Sequence, residues 1–213
     1  MSFRRWILPV TLLLAAACSD GIAPPAPTAG GPHLLRWAGS SAPRFAAVGA
    51  VARPGVSAVA PVVDAYQASF WAVRGESRSL RLNYQSASGS FPFLEFTATD
   101  PTWVPGRGEL AVGDSVLITV RVDSEVVRVV FEPSGLQFGT PAGLTIWYSG
   151  VVGDLNADGV VDTTDAYIED QLLGLWYRDN ETSPWSPITA VKSLTEKWFA
   201  TEVPHFTEYA VSW

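Results

Sequence analysis

From Tyr66 onward, apolar and polar positions alternate in short runs rich in Val, Ile, Phe, Tyr and Trp, broken every 8 to 15 residues or so by Gly, Pro, Asp or Ser. Nine runs read as strands: Tyr66 to Val73, Ser79 to Tyr84, Phe93 to Ala98, Ser115 to Val122, Val126 to Phe131, Ala142 to Ser149, Leu172 to Arg178, Lys197 to Val203 and Phe206 to Ser212. Leu80 and Leu82 share one face of their strand, and Leu144, Ile146 and Tyr148 share another, with Trp147 opposite them. In the same way Leu173, Leu175 and Tyr177 oppose Trp176. Such spacing predicts an all-β, antiparallel sandwich over residues 62–213.

Ahead of the strands the pattern changes twice. Residues 1–17 carry Arg4-Arg5, an apolar stretch from Trp6 and the small residues Ala15-Ala16-Ala17, ending at Cys18, the single cysteine. This reads as an export signal peptide, too short to span a bilayer. Small residues running into a lone cysteine resemble the lipobox of bacterial lipoproteins, which implies cleavage before Cys18, acylation of its thiol and a membrane anchor. From Ser19 to Pro61 there are seven Pro and six Gly among 43 residues without an apolar period, so 18–61 reads as a lipidated cysteine followed by a disordered linker. As a coil it reaches about 36 Å.

One stretch carries metal chemistry. Counting from Asp154, oxygen-bearing side chains stand at positions 1, 3, 5, 9 and 12 (Asp154, Asn156, Asp158, Asp162, Asp165), glycine at 6 (Gly159) and an apolar residue at 8. Calcium takes six to eight hard oxygens at about 2.4 Å, and a chain surrounds so small a sphere by offering alternate side chains, turning sharply at glycine and adding one backbone carbonyl, here that of Val160. Aspartate at the last position resembles the dockerin version of the loop, as does Gly153-Asp154-Leu155-Asn156. Thr163 to Gln171 reads as a short exit helix. A solvated acidic turn is the competing reading of the same residues.

Composition narrows the rest. Fourteen Lys plus Arg stand against 21 Asp plus Glu, a net charge of -7, which disfavours nucleic acid as a partner. Two histidines, His33 and His205, and the lack of a Gly-x-Ser-x-Gly elbow or a phosphate loop disfavour most enzyme classes. Trp147 and Trp176, each opposite the aliphatic face of its own strand, form a candidate ligand platform for carbohydrate if they stand side by side; core packing is the alternative.

The segments Phe131-Glu132-Pro133-Ser134-Gly135-Leu136-Gln137-Phe138, Pro141 to Tyr148, Leu175-Trp176-Tyr177 and His205 to Val211 resemble the ZU-five domain, a β-sandwich of ankyrins, netrin receptors, tight-junction scaffolds and bacterial exported proteins. The likeness is clearest from Val126 to the C-terminus and implies a protein-contacting or structural module. His205-Phe206-Thr207 further resembles the triplet at which some relatives cut themselves. That implies His205 as general base, Thr207 as nucleophile and the Phe206 carbonyl as target. The expectation is a non-catalytic, calcium-stabilised module of an exported, lipid-anchored envelope protein, its partner an envelope protein or glycan; self-cleavage between Phe206 and Thr207 and carbohydrate binding are the alternatives.

Overall fold

The computed structural model describes residues 31–37, 43–48, 66–86, 89–151 and 153–213. Fourteen strands run β1 (Arg44–Val48), β2 (Gln67–Val73), β3 (Arg78–Ser86), β4 (Gly89–Ala98), β5 (Pro101–Val104), β6 (Gly108–Glu109), β7 (Ser115–Val122), β8 (Arg128–Glu132), β9 (Gln137–Trp147), β10 (Gly174–Arg178), β11 (Ser186–Ile188), β12 (Val191–Ser193), β13 (Trp198–His205) and β14 (Glu208–Ser212). Between β9 and β10 a short helix α1 (Thr163–Tyr167) continues as a π-helical turn, Ile168–Leu172.

All pairings between strands are antiparallel. One sheet has the order β1-β3-β4-β9-β13-β12, with β5 and β6 attached beside β9; the other has the order β11-β10-β14-β8-β7-β2. The alternation seen in the sequence sets which faces meet: Leu80, Leu82, Phe96, Leu144 and Ile146 of the first sheet and Ile118, Val120, Val129, Phe131 and Val211 of the second are fully buried. Phe206 is a hub of this core, its ring centroid 5.3 Å from Phe96, 4.9 Å from Phe131 and 5.1 Å from Phe138. Gly139 lets β9 swing across to β5, because a Cβ there would lie 2.5 Å from the Asp100 carboxylate.

The expected nine strands are present, their ends displaced by a few residues. One boundary is corrected. The linker assigned to 18–61 includes residues that belong to the sandwich: β1 pairs with β3, and Leu35 and Trp37 lie in the core at 1% and 8% exposure. The backbone of 33–37 docks on the second sheet, with His33 and Trp213 exchanging hydrogen bonds, Leu35 donating to Val211, and Val127 donating to Leu35. The Trp37 ring stacks near Tyr84 and meets Phe45 and Phe93 edge-on, while its Nε1 donates to the Asp123 carbonyl at 2.9 Å. Burying an indole with its N–H satisfied outweighs the cost of ordering a few Gly- and Pro-flanked residues. The signal peptide, Cys18 and the rest of the expected linker lie outside the described residues.

Candidate functional site: the acidic loop between the two sheets

The loop begins where β9 leaves the first sheet and ends where β10 starts the second. Its path follows from its residue types. Gly159 sits at φ +89°, in the region that glycine occupies at no steric cost, and Ala157 at φ +59° takes the same hand two residues earlier. Between them the Asp158 amide donates both to Asp154 Oδ1 (3.1 Å) and to Asn156 Oδ1 (3.0 Å), so these two side chains converge on one N–H. Asp154 Oδ2 accepts from the Gly159 amide at 2.9 Å, and Asn156 Nδ2 donates to Asp158 Oδ2 at 2.9 Å. The first, third and fifth positions thereby gather on the inside of the turn.

Asp165 closes the loop. Its Oδ1 accepts from the amides of Leu155 (2.6 Å) and Asn156 (3.3 Å), and its Oδ2 from the amide of Asp162 (2.9 Å). The Asp162 amide leads in holding the Asp165 carboxyl below the usual carboxylate range; burial opposes this, and the amides of Leu155 and Asn156 add to it. Asp162 in turn caps α1, accepting from the Thr164 amide at 2.7 Å, so the ninth and twelfth positions form a reciprocal capping box. The sequence reading explained Asp162 and Asp165 by metal ligation; the structure gives each a second task in starting the exit helix.

The far end of that helix is clamped by Lys192, whose ammonium donates to the carbonyls of Glu169, Asp170 and Leu173. Burial keeps the Lys192 ammonium below its ordinary value, against the pull of Asp170 and Glu169. Lys197 pairs with Glu169 at 3.0 Å. Neither lysine is legible beforehand, because Lys192 stands in β12 and Lys197 in the turn before β13, and their place beside the helix is a matter of topology.

All loop donors are oxygens, namely four carboxylates, the Asn156 amide oxygen and the Val160 carbonyl, and this set suits a hard cation such as calcium. Their fit is one of residue type and loop hand. Among the described residues no three His, Cys, Asp or Glu side chains form a ready metal-holding group, and the carboxylates face the loop's own amides.

The two remaining candidates are placed apart from the loop. At the C-terminal triplet, Phe206 is spent in the core and its carbonyl accepts from Gly135 at 3.1 Å. The Thr207 hydroxyl donates to the carbonyls of Arg178 and Glu208, so its proton is directed at backbone oxygens. None of the three residues has a left-handed backbone. The paired platform is corrected: Trp147 faces outward from the first sheet opposite Trp198, with the Arg81 guanidinium 5.8 Å from its ring, whereas Trp176 belongs to the second sheet opposite Ala210 and Pro187. Both indoles alternate with buried neighbours, so they point away from each other on opposite outer faces. No family model, curated protein or solved structure matches the chain.

Proposed function

We propose that the chain is an exported, lipid-anchored envelope protein whose ZU-five-like sandwich is stapled by one calcium ion and serves as a non-catalytic interaction or structural module. The observation that carries this reading is the closed acidic loop: Asp165 binds amides at both of its ends, and the segment it closes links the two sheets. Asp154, Asn156, Asp158, Asp162 and Asp165, with the Val160 carbonyl, are the ligands. The ion supplies charge neutralisation to four clustered carboxylates and couples loop order to sheet stability. The Thr207 hydroxyl's engagement with two carbonyls supports the non-catalytic role.

Thermal melting with calcium and with a chelator tests the reading. Exported calcium modules bind at about 10⁻⁴ to 10⁻³ M, so about 1 mM calcium adds about 0.4–1.4 kcal/mol, or roughly 1–6 °C in Tm. Asp158 is exposed and bonds only within the loop, so Asp158→Ala folds and loses the calcium response. Equal melting in calcium and chelator overturns the calcium staple. Cys18→Ser releases the protein from membranes; continued retention overturns the lipid anchor.

A further inference from the structure

Among the described strand pairings, Trp147 opposite Trp198 is the one place where two indoles stand directly across from each other. Both are half-buried, and residues opposed in an antiparallel ladder point to one side, so the two rings share the outer face of the first sheet. The side-by-side pair that Trp176 does not make is made by Trp198.

Two further rows continue this face away from the indoles. Thr145 lies beside Ala200 and Gly143 beside Glu202, with Glu95 and Thr97 of β4 on the other flank. The floor is therefore built of short side chains: Gly143, Thr145 and Ala200, with Thr189, Val191 and Glu202, line an open groove of about 630 Å³. From the indole row to the Gly143 row it runs four residues of strand, about 13 Å. Gly143 is not needed by the fold. Its backbone is not left-handed, its register with Thr97 and Glu202 is regular, and a Cβ there would meet nothing nearer than Thr97 at 3.9 Å. Glycine inside a strand weakens it, and where neither a bulge nor a bend calls for one, the remaining cause is a ligand lying close to the backbone.

The charges select the class of ligand. Among the described residues, the outward positions of β3, β4, β9 and β13 around this floor carry one cation, Arg81, which pairs with Glu95 at 2.8 Å and stands 5.8 Å from the Trp147 ring. Glu202 is exposed at the groove, and Glu196 accepts from Trp198 Nε1 at 2.8 Å beside it. Carboxylates outnumber cations, so the face repels polyanions. A neutral sugar chain fits both features: its apolar C–H faces pack on the indoles, and its hydroxyls donate to the carboxylates and to the Thr145 hydroxyl.

We propose that the outer face of the first sheet binds a neutral polysaccharide, with Trp147 and Trp198 as the stacking platform and the Gly143, Thr145 and Ala200 floor as the track along which the chain lies. The site is separate from the acidic loop and goes beyond the calcium-staple reading without resting on it.

Native electrophoresis of the full chain in gels containing mixed-linkage β-glucan, galactomannan or, as the acidic counterpart, polygalacturonate tests the proposal. Retardation by a neutral polymer and not by polygalacturonate is expected. Trp147→Ala and Trp198→Ala each weaken the retardation roughly ten-fold. Gly143→Val removes no contact and suits a strand, so it keeps or raises Tm while weakening retardation as much, and it serves if the tryptophan variants fail to fold. A clear fall in Tm, or undiminished retardation, in Gly143→Val overturns the track. No retardation in either neutral gel overturns the proposal and leaves the calcium staple, which is read by melting, standing. Equal retardation by polygalacturonate overturns the selection by charge. A dimer in sedimentation velocity that Trp147→Ala abolishes makes a second copy the occupant and overturns the sugar.

Discussion

Trp37→Ala is the sharpest test of whether the N-terminal segment is part of the fold. The indole is 8% exposed, touches Phe45, Tyr84 and Phe93, and gives its N–H to the Asp123 carbonyl. A Trp buries up to about 250 Å², which at about 25 cal/mol per Å² is an upper figure of about 6 kcal/mol. The unfolded chain already hides part of that surface, and large-to-small changes of this kind cost about 3–5 kcal/mol in practice. The orphaned Asp123 carbonyl adds to the loss within that range. We expect Tm to fall by roughly 6–20 °C, at about 2–4 °C per kcal/mol for a domain of this size. Arg36→Ala is the control: its side chain is exposed, and the change stays within about 0.5 kcal/mol. Urea unfolding followed by tryptophan fluorescence and by circular dichroism reads both. If Trp37→Ala costs less than about 1 kcal/mol, the segment is not docked as described.

Further outcomes follow from the second sheet. Burial pushes the Asp123 carboxyl up, yet the amides of Glu125 (2.7 Å) and Val126 (3.1 Å) and the Arg128 guanidinium outweigh it and hold the group below the ordinary carboxylate range. A carboxyl so lowered contributes stability that is complete above its unfolded value of about 3.9 and is lost as pH falls through the folded value. Asp123→Ala therefore costs about 2–3 kcal/mol near pH 7, and denaturation series show the difference from wild type shrinking below about pH 4. Glu208, almost fully buried, accepts from Arg178 at 2.9 Å and lies 3.6 Å from Arg128, so Glu208→Ala leaves two guanidinium groups facing each other and costs about 2–3 kcal/mol in chemical denaturation. Phe206→Ala opens the core between Phe96, Phe131 and Phe138 at about 3–5 kcal/mol, and the wild-type chain keeps one intact mass in fresh and aged samples; a wild-type species ending at Phe206 would overturn the packing role of the triplet.

The strands with a buried face were legible because alternation is a local property: β7 runs from Ser115 to Val122, as its Val-Leu-Ile-Thr-Val pattern predicts. The strands missed are short or carry residues that argue against a ladder, such as Pro101 at the start of β5 and Pro187 in the edge strand β11. Segment 33–37 was masked by its Pro- and Gly-rich surroundings, although Leu35 and Trp37, two apart, already carried the period of a half-buried strand. The sharp turn at Gly159 was legible, since it depends on residue types at fixed intervals, whereas the capping box of Asp162 and Asp165 was not. Which tryptophans share a face was not, because alternation tells how a side chain points relative to its own strand and says nothing of the sheet that strand joins.

The hydrogen bond from Leu35 to Val211 unites stretches almost the whole described chain apart. Such a closure is among the slowest a polypeptide makes, since the loop entropy is lost before the contact is gained. During synthesis, the seat of Leu35 is completed only after β14 has left the ribosome.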